Sequence, residues 1–553
     1  MRLTHGCSDC SNTDCPGRQE SVTVIVKAAD GDYEFSAAKG ENLLTFFRDN
    51  EIFISAPCGG KGRCGKCAVR VLSGSLDISE ADRTHFTQEE LDDGKRLACT
   101  ARIYGDCTIE PLTDGEEDIS ALGTTGSFLR HKADAVCDNA EGKDYGIAID
   151  IGTTTLAISL TDLKDKHVVD TYTAINRQRS FGADVISRIE AAGNGNAEEL
   201  KLLIEEDILK GIGALLEKNG IPSGNIRLAG IAGNTTMLHL LQGFPVKSLG
   251  VYPFKAHSLS LEKKSFKSIF CKTGAGKLNR ELGEVVTYIL PGCSAFVGAD
   301  IVSGLYSLGF QDSSEICALI DLGTNGEMAV GNRKRLLVTS TAAGPAFEGG
   351  NIEYGTGSIP GAISSVTIKD GRASCDTIGG RPPAGICGTG VIETVAELLK
   401  EGLIDETGMF DEDYFDDGFP LAQKGSGEAI AFTQKDVREI QLAKSAVRAG
   451  FEVLLKRFGV RYDELSRLYL AGGFGYYLNV EKASLIGMIP QELVERTEAC
   501  GNSSLNGVIR FITSENLDEA ERTLSSLAEE GEEIALSTDR DFNELYMENM
   551  LFL

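Results

Sequence analysis

The chain has 553 residues, of which 42% are hydrophobic and 25% charged, so it can form several domains with large apolar cores. Lys and Arg number 54 against 82 Asp and Glu, giving a formal net charge of −28. This charge argues against a broad surface for nucleic acid or an anionic membrane, which needs excess Lys and Arg. We find no signal-peptide core and no run of about 18 apolar residues. We therefore predict a cytoplasmic protein with no nucleic-acid or membrane partner.

Cysteine is the residue type that separates this chain from an ordinary globular protein. There are 15 cysteines, and eight of them lie in the first 107 residues. Because cytoplasmic thiols stay reduced, clustered cysteines indicate metal or redox chemistry rather than disulfides. Isolated cysteines later in the chain are expected to be small buried side chains. These are Cys271, Cys293, Cys317, Cys375 and Cys500.

Residues 1–20 form a Cys-rich leader with Cys7, Cys10 and Cys15 in the spacing C-x2-C-x4-C. Three thiols on so short a segment indicate a metal site that needs a fourth ligand. The candidates for that ligand are His5, Cys107 and Cys137. The predicted site would hold a second iron–sulfur cluster or zinc, and the alternative is a tail with free thiols.

Residues 21–112 have the pattern of a compact α+β domain. Three valines, Val22, Val24 and Val26, alternate with other residues in a first strand. A turn and a second short strand follow, and Asn42 is placed to cap an apolar helix. A loop rich in Gly and Cys then leads into the strand AVRVL.

That loop carries the strongest chemical signal in the chain. Cys58, Cys64 and Cys67 have the spacing C-x5-C-x2-C, and Cys99 follows after 31 intervening residues. A cluster of two irons and two sulfides needs four thiolates. A zinc site more often pairs two C-x2-C knuckles, so we predict a 2Fe-2S cluster. Glycines let the loop wrap around the cluster and point amide groups at its sulfurs; they are Gly59, Gly60, Gly62 and Gly65.

With this loop, residues 21–110 resemble adrenodoxin-type 2Fe-2S ferredoxins, which implies a β-grasp fold. The x5-x2 spacing is closer to the adrenodoxin-like form than to the plant x4-x2 form. Lys61, Arg63 and Lys66 surround the loop. They are a candidate docking spot for an acidic partner, and the alternative is an ordinary solvated loop.

A linker over 113–143, rich in Gly, Asp, Glu and Thr, separates this domain from the rest of the chain. From residue 144 onward, buried strands, Gly-Thr turns and helices alternate in the manner of an α/β domain. We predict helices over 182–192, 198–218, 391–401 and 435–458, and a closing helix in the last 25 residues.

The α/β part contains an internal repeat. GIAIDIGTTTLAIS at 146–159 resembles ALIDLGTNGEMAVG at 318–331. Such a duplication predicts two similar subdomains, approximately 144–315 and 316–553, whose turns face one cleft.

Each repeat ends a buried strand with an aspartate and continues into a Gly-Thr turn. Asp150 and Asp321 could hold Mg²⁺ through water, because Mg²⁺ keeps much of its hydration. The turns offer backbone N–H groups, hydroxyls and an amide to phosphate oxygens. The predicted phosphate contacts are Gly152, Thr153, Thr154, Gly323, Thr324 and Asn325. A Walker-type loop is excluded, because the sequence GAGK is followed by leucine.

Two further segments have the same strand–glycine–helix pattern. LAGIAGNTTMLHLL places Asn234 at the start of a helix. LYLAGGFG ends a strand at Gly472 and Gly473, where an adenosine could lie against bare backbone beside Phe474. The alternative for this segment is a simple strand-to-helix turn.

Together these segments resemble the nucleotide-binding superfamily of acetate and sugar kinases, heat-shock-70 chaperones and actin. The resemblance implies that Asp150–Thr154 and Asp321–Asn325 are its two phosphate segments and Ala471–Gly475 its adenosine segment. Glu327 and Glu348 are candidates for the water-activating residue, and both could equally be structural.

The whole chain, a β-grasp 2Fe-2S ferredoxin domain followed by a duplicated actin/Hsp70-like ATPase domain, resembles the reductive activators of corrinoid-dependent enzymes. The resemblance implies ATP-dependent electron transfer through the iron–sulfur cluster to an inactive Co(II) corrinoid protein, which restores Co(I). It implies Mg-ATP as a cofactor. A reduced ferredoxin, a flavodoxin or a reductase would be the electron donor, and a homodimer is a candidate assembly.

Two other functions stay open at this point. The Cys-rich leader is compatible with an ATP-dependent activator of a low-potential enzyme that lacks a corrinoid. The phosphate turns are compatible with a small-molecule kinase that carries a redox sensor domain.

Overall fold

The structure, a computed structural model, describes residues 21–28, 31–50, 52, 54, 60–63, 65, 67–112, 144–273, 276–424, 427–475 and 478–552. These residues form two compact units. The first contains the residues up to 112 together with 179–183, and the second contains the rest from residue 144 onward. The predictions for the leader (1–20) and for the linker (113–143) lie outside the described residues.

The first unit is built on a five-stranded mixed sheet with the strand order β2-β1-β7-β4-β5, beside a short β3–β6 ladder. β1 pairs antiparallel with β2 and parallel with β7. The strands are β1 (Ser21–Ala28), β2 (Gly31–Ala38), β3 (Glu41–Asn42), β4 (Ala68–Ser73), β5 (Lys95–Leu97), β6 (Arg102–Ile103) and β7 (Cys107–Pro111). The helices are α1 (Leu43–Asp49), α2 (Glu80–His85) and α3 (Gln88–Asp92).

Apolar side chains from alternate positions of β1 and from one face of α1 pack together in one core. Val24 and Val26 are fully buried from the sheet, and Phe46 and Phe47 are fully buried from α1. Asn42 caps α1, because its Oδ1 accepts hydrogen bonds from the next backbone N–H groups. The predicted β-grasp domain is thereby confirmed.

The second unit contains two six-stranded sheets that repeat the same topology. In the first, β8, β9 and β10 form an antiparallel meander, and β11 and β13 add parallel strands beside β8. In the second, β14, β15 and β16 form the meander, and β22 and β23 add the parallel strands. This arrangement confirms the predicted duplicated actin/Hsp70-like fold.

The strands of this unit are β8 (Tyr145–Ile151), β9 (Thr155–Asp162), β10 (His167–Ile175), β11 (Ile226–Gly233), β12 (Glu262–Ser265), β13 (Val286–Ile289), β14 (Cys317–Leu322), β15 (Gly326–Asn332), β16 (Arg335–Thr341), β17 (Ala362–Lys369), β18 (Arg372–Thr377), β19 (Gly385–Ile386), β20 (Phe419–Gln423), β21 (Ala429–Phe432), β22 (Arg467–Ala471), β23 (Thr497–Gly501) and β24 (Gly531–Glu533). The helices are α4 (Val185–Ala191), α5 (Ala197–Lys218), α6 (Thr235–Gln242), α7 (Phe266–Ile269), α8 (Lys277–Glu281), α9 (Ala299–Leu308), α10 (Gly388–Lys400), α11 (Gln434–Phe458), α12 (Gly472–Gly475), α13 (Val480–Leu485), α14 (Ser503–Ile512), α15 (Leu517–Glu530) and α16 (Arg540–Glu548). None of the described helices is both long and apolar enough to cross a membrane.

Three local predictions need correction. The helix predicted over 182–192 begins only at Val185, because the side chain of Asp184 caps it. The last 25 residues are not one helix: Gly531–Glu533 pairs as a strand with β16, and the helix α16 comes later. Of the cysteines predicted to be buried, Cys317 and Cys500 are buried, Cys293 and Cys375 are half-buried, and Cys271 is exposed next to the fully buried Phe270.

The C-terminal segment is fastened to the long helix α11 by side chains of that helix. Gln441 Nε2 donates a hydrogen bond to the carbonyl of Met550 at 2.8 Å, and the buried Lys444 Nζ donates to the carbonyl of Leu551 at 2.5 Å. Lys444 Nζ also lies 5.1 Å from the centre of the Phe552 ring. Burial, with a contribution from Arg448, lowers the pKa of Lys444 to about 7.

We expect Lys444→Met to remove a pH dependence of stability. An unfolded chain keeps this lysine protonated up to a pKa of about 10.4, whereas the folded chain releases the proton at about 7. The unfolded state therefore binds more protons between these values, and the wild-type free energy of unfolding rises with pH there. Urea titrations at pH 7, 8 and 9 measure it, with the exposed Lys369→Met as control. Parallel pH profiles for wild type and Lys444→Met would contradict the assignment.

Candidate functional site

The cysteine-rich loop of the first unit reverses direction repeatedly, as the glycine pattern predicts. Gly60, Gly62 and Gly65 have φ of 84°, 68° and 70°, a left-handed backbone that glycine adopts without a steric penalty. Cys58, Cys64, Gly59 and Lys66 lie outside the described residues. The described part of the loop therefore fits the wrapping that a cluster needs.

Two of the four predicted ligands are brought together by the sheet. Cys67 immediately precedes β4 and Cys99 closely follows β5, and Ala68 is paired with Leu97 across those strands. The backbone N–H of Ala98 also donates to the carbonyl of Cys67 at 2.8 Å. The Cβ of Cys99 lies 3.8 Å from where a side chain on Gly60 would begin. Soft thiolates at this loop suit an iron–sulfur cluster.

The segment that carries Cys99 is held from two sides. Asn42 Nδ2 donates to the carbonyl of Cys99 at 2.9 Å and to that of Ala101 at 3.2 Å. The buried Asp82 accepts the backbone N–H of Leu97 at 2.6 Å. The position of Cys99 thus depends on polar side chains that the sequence analysis did not connect with it.

His85, at the end of α2, is a residue that sequence reasoning missed. Its Nε2 lies 3.1 Å from the carbonyl oxygen of Gly62, and its Nδ1 lies 3.1 Å from where a Gly65 side chain would begin. A lone histidine that follows the loop in the sequence gives no signal of this contact. Lys61 and Arg63 are exposed on the described part of the loop.

The leader thiols Cys7, Cys10 and Cys15 lie outside the described residues, as do His5 and Cys137. Cys107 is buried in the first unit, and burial, with a contribution from Asp106, raises its pKa to about 11. The candidacy of Cys107 as the fourth ligand of a leader site stays a prediction.

In the second unit, a single glutamate joins the two predicted phosphate turns. Glu348, at the end of the 3-10 helix Pro345–Glu348, accepts hydrogen bonds from the hydroxyls of Thr154 at 3.2 Å and Thr324 at 3.0 Å. A backbone hydrogen bond from its glycine closes each turn: Gly152 N–H donates to the carbonyl of Thr155, and Gly323 N–H donates to that of Asn325. The structure thus brings both repeats to one place.

Four carboxyl groups interact at this place. Burial and then Asp150 raise the pKa of Asp300 to about 7. Burial, then Asp300 and then Asp150 raise that of Asp321 to about 8. Glu327 has its pKa raised well above its ordinary value by burial and by Asp300 and Asp321. A divalent cation would relieve this crowding of negative charge. Asp300 was missed because an acidic residue in the first turn of a helix is ordinary.

Asp150 is held by residues that lie more than 350 positions away in the sequence. Asn502 Nδ2 donates to one of its carboxylate oxygens at 2.8 Å, and Ser504 Oγ donates to the other at 2.7 Å. Burial still raises the pKa of Asp150, although these two hydrogen bonds lower it. Both residues belong to the N-terminal end of α14, and the sequence contains no motif that marks them.

The remaining predicted segments flank the same turns. Asn234, which caps α6, donates to the Thr153 hydroxyl at 2.9 Å. Gly472 has a φ of 87°, and a side chain there would begin 2.9 Å from an oxygen of Asp321. Only glycine fits this approach. Gly473 follows in α12, and the side chain of Phe474 lies outside the described residues.

Comparisons with known proteins cover the same three parts of the chain. A model described as 2Fe-2S iron-sulfur cluster binding domain matches residues 26–104, one described as RACo middle region matches 145–313, and one described as C-terminal domain of RACo the ASKHA domain matches 315–553. The corrinoid activation enzyme RamQ of Eubacterium limosum is 30% identical over 576 residues, covering 90% of this chain and 94% of RamQ.

Two further relatives agree with this match. A Co(II) methylated amine-specific corrinoid protein reductase of Methanosarcina barkeri is 26% identical over 431 residues, covering 73% of this chain and 76% of that protein. A solved structure of a reductive activator for corrinoid,iron-sulfur protein superposes with a TM-score of 0.67 and 28% identity, covering 96% of this chain and 98% of that one.

The fold and its two sites define a 2Fe-2S ferredoxin joined to an ATPase of the acetate and sugar kinase, heat-shock-70 and actin class. Within that class, the chain belongs to the family of reductive activators of corrinoid proteins.

We expect Asn42→Ala to destabilise the first unit by about 1–3 kcal/mol, because it removes a helix cap and leaves the carbonyls of the Cys99 segment without their donor. Urea denaturation of the anaerobically purified full chain, followed by its visible absorbance, measures the loss. The exposed Gln88→Ala serves as control. A midpoint equal to that of the wild type would contradict this role.

We expect Asp321→Asn to stabilise the protein in the absence of Mg²⁺ and nucleotide. The folded chain keeps the Asp321 proton up to a pH of about 8, whereas an unfolded aspartate releases it at about 4. Stability of the wild type therefore falls as the pH rises through this window, and the variant escapes that fall. Melting temperatures at pH 5 to 8 should show a difference that grows with pH.

The exposed Asp413→Asn is the matched control for this measurement. Mg²⁺ should raise the melting temperature of the wild type and of the control, but not that of Asp321→Asn. An advantage of Asp321→Asn that shrinks as the pH rises would show that the carboxyl is not held protonated in the fold.

Proposed function

We propose that the protein is an ATP-dependent reductive activator, which passes low-potential electrons through its iron–sulfur cluster to a Co(II) corrinoid protein and restores Co(I). The observation that carries the proposal is the union, in one chain, of a glycine-wrapped thiolate loop and a carboxylate-lined site joined by Glu348. The 30% identity to a corrinoid activation enzyme over nearly all of both chains supports it.

Cys58, Cys64, Cys67 and Cys99 are the residues we propose to hold the cluster. The left-handed glycines of the loop and the contact between Gly60 and Cys99 support this ligand set. The cluster would supply one-electron transfer. The protein would contribute the loop that orients the thiolates and the hydrogen bonds that fix the Cys99 segment.

Mg-ATP would bind between the two repeats. Asp150 and Asp321 would hold Mg²⁺ through water, and the phosphates would accept hydrogen bonds from the two turns. These turns are formed by Gly152, Thr153 and Thr154 in one repeat and by Gly323, Thr324 and Asn325 in the other. Gly472 and Gly473 would leave room for the adenosine.

Of the two candidates for activating water, Glu348 has the stronger support. It already accepts hydrogen bonds from a hydroxyl of each turn. Burial and the acidic neighbours Asp300 and Asp321 raise the pKa of Glu327, which favours the protonated form, the form that cannot act as a base.

ATP is required in this scheme because the electron moves uphill. Each 59 mV of unfavourable potential costs about 1.4 kcal/mol for a one-electron step. Nucleotide binding can offset that cost only if it favours one conformation or one docked state over another. A site joined across two repeats can do this, since the nucleotide contacts both.

Other parts of the machinery follow from the same proposal. A reduced ferredoxin, a flavodoxin or a reductase would donate electrons, and Lys61, Arg63 and Lys66 would attract an acidic donor. The leader would hold a second iron–sulfur cluster or zinc at Cys7, Cys10 and Cys15. A homodimer is the proposed assembly.

The decisive experiment mixes the anaerobically purified protein with a chemical reductant, ATP and each corrinoid protein of the host organism in its Co(II) form. We expect an absorbance change from Co(II) to Co(I) that requires ATP and is lost in Cys99→Ser, because that variant lacks one thiolate of the cluster. Cys375→Ser, which changes a cysteine of the second unit, is the control.

The outcome also separates the competing functions. Absence of any ATP-dependent change with every corrinoid protein would reject the proposal. Reduction of a partner without cobalamin would indicate an activator of another enzyme class, and phosphoryl transfer to acetate or a sugar would indicate a kinase.

A further inference from the structure

A basic segment of the second unit stands out against the acidic chain. Residues 241–280 contain eight Lys or Arg and a single Glu, whereas the formal net charge of the whole chain is −28. Most of these cations form ion pairs, for example Lys263 with Glu521 and Lys277 with Glu281. Lys247 and Lys255 are exposed, and neither forms an ion pair with any residue that the structure describes.

These two lysines flank a short loop that displays apolar side chains. Ser248 and Lys255 close the loop, since Ser248 Oγ donates to the carbonyl of Lys255 at 2.6 Å and the Lys255 N–H donates back at 3.0 Å. The closed loop leaves Val251 58% exposed and Tyr252 83% exposed. An ordered loop with an exposed aromatic tip is typical of a binding surface.

A second loop extends the apolar surface. The Phe296 ring, itself exposed, lies edge-on to Phe254 with their centres 5.1 Å apart, and Phe254 lies 6.1 Å from Tyr252. We use the name aromatic–basic surface for the patch formed by Lys247, Val251, Tyr252, Phe254, Lys255 and Phe296.

The aromatic–basic surface is linked to the nucleotide site through α6. The hydroxyl of Thr235, the first residue of α6, donates to the carbonyl of Ser294 at 2.7 Å. Ser294 Oγ in turn accepts the backbone N–H of Phe296 at 3.2 Å. The preceding residue, Asn234, binds the Thr153 hydroxyl of the first phosphate turn. These hydrogen bonds form a continuous path between that turn and the Phe296 loop.

We infer that the acceptor corrinoid protein docks on the aromatic–basic surface through an apolar patch with an acidic rim; this rests on the proposed function. Tyr252 and Phe254 fit the role of apolar anchors, and Lys247 and Lys255 fit an acidic rim. Two lysines without an ion pair among the described residues are too few for an anionic membrane, where each adds only about 1 kcal/mol. A second copy of this chain, bound through a two-fold contact, would bring the same basic patch of both copies together, where like charges repel.

The acceptor is favoured over the electron donor because of the link through Thr235. Donation of electrons to the cluster needs no nucleotide, whereas the uphill step to cobalt does. A surface whose Phe296 loop is tied to a phosphate turn suits the partner whose docking must respond to ATP.

The test measures the dependence of ATP-driven Co(I) formation on the concentration of the host corrinoid protein. Variants are Tyr252→Ser and the double change Lys247→Glu/Lys255→Glu, with Lys334→Glu/Lys369→Glu as a charge-matched control at exposed positions. We expect KM for the corrinoid protein to rise about tenfold or more in both docking variants. The kcat at saturating corrinoid protein, the melting temperature and the cluster EPR signal should stay at wild-type values.

Direct binding of the Co(II) corrinoid protein, measured by calorimetry with ADP and with a non-hydrolysable ATP analogue, gives a second readout. The difference in Kd between the two nucleotides should shrink in Phe296→Ser. Wild-type KM and Kd in the docking variants would overturn the inference while the proposed function stands, and a wild type that reduces no corrinoid protein would overturn both. Loss of binding to phosphatidylserine vesicles, or of a dimer in light scattering, would assign the surface to those partners instead and overturn the inference.

Discussion

Mutual repulsion among buried carboxyl groups is the constraint on which the nucleotide-binding unit depends. Asp150, Asp300, Asp321 and Glu327 are withdrawn from water and raise one another's pKa or have it raised by burial. Asp150 receives compensating side-chain hydrogen bonds from Asn502 and Ser504, and Glu327 receives them from Asn325 and Ser340. Burial still raises the pKa of each of the four groups, so they must keep protons or share a cation, because an unpaired buried charge is costly. This crowding of carboxyl groups lowers the stability of the fold, and binding of a divalent cation would therefore raise that stability.

The geometry around these groups converts a local charge change into a change between repeats. Glu348 bonds to Thr154 in one repeat and to Thr324 in the other, while Asn502 and Ser504 tie Asp150 to α14. A ligand that inserts between the turns must compete for these hydrogen bonds. Its binding free energy is therefore coupled to the relative position of the two sheets, which is what an ATP-driven device needs.

Features of the fold and of the site could be predicted from the sequence where the contacting residues lie close together along the chain. The wrapping of the cysteine loop follows from glycines inside the loop, and the duplication follows from two matching strand–turn segments, so both were predictable. Asp300, Asn502 and Ser504 were not, because each lies in an ordinary helix start and acquires its role only from contact with a remote strand. His85 was missed because a histidine at the end of a short helix gives no sequence signal of its contact with the Gly62 carbonyl. Cys271 was wrongly predicted to be buried: it is exposed, whereas its neighbour Phe270 is fully buried.

The two repeats have the same sheet topology but carry different insertions, and this asymmetry bears on the function. The second repeat inserts β17 to β21 and α10 after its meander, whereas the first places the basic segment 241–280 between β11 and β13. The proposed phosphate turns occur in both repeats, but the aromatic–basic surface belongs to one repeat only. If a nucleotide draws the two proposed phosphate turns together, the movement would displace the aromatic–basic surface, which lies in the first repeat. Such a movement can alter the docking of a partner on one side while the chemistry of ATP binding remains shared by both.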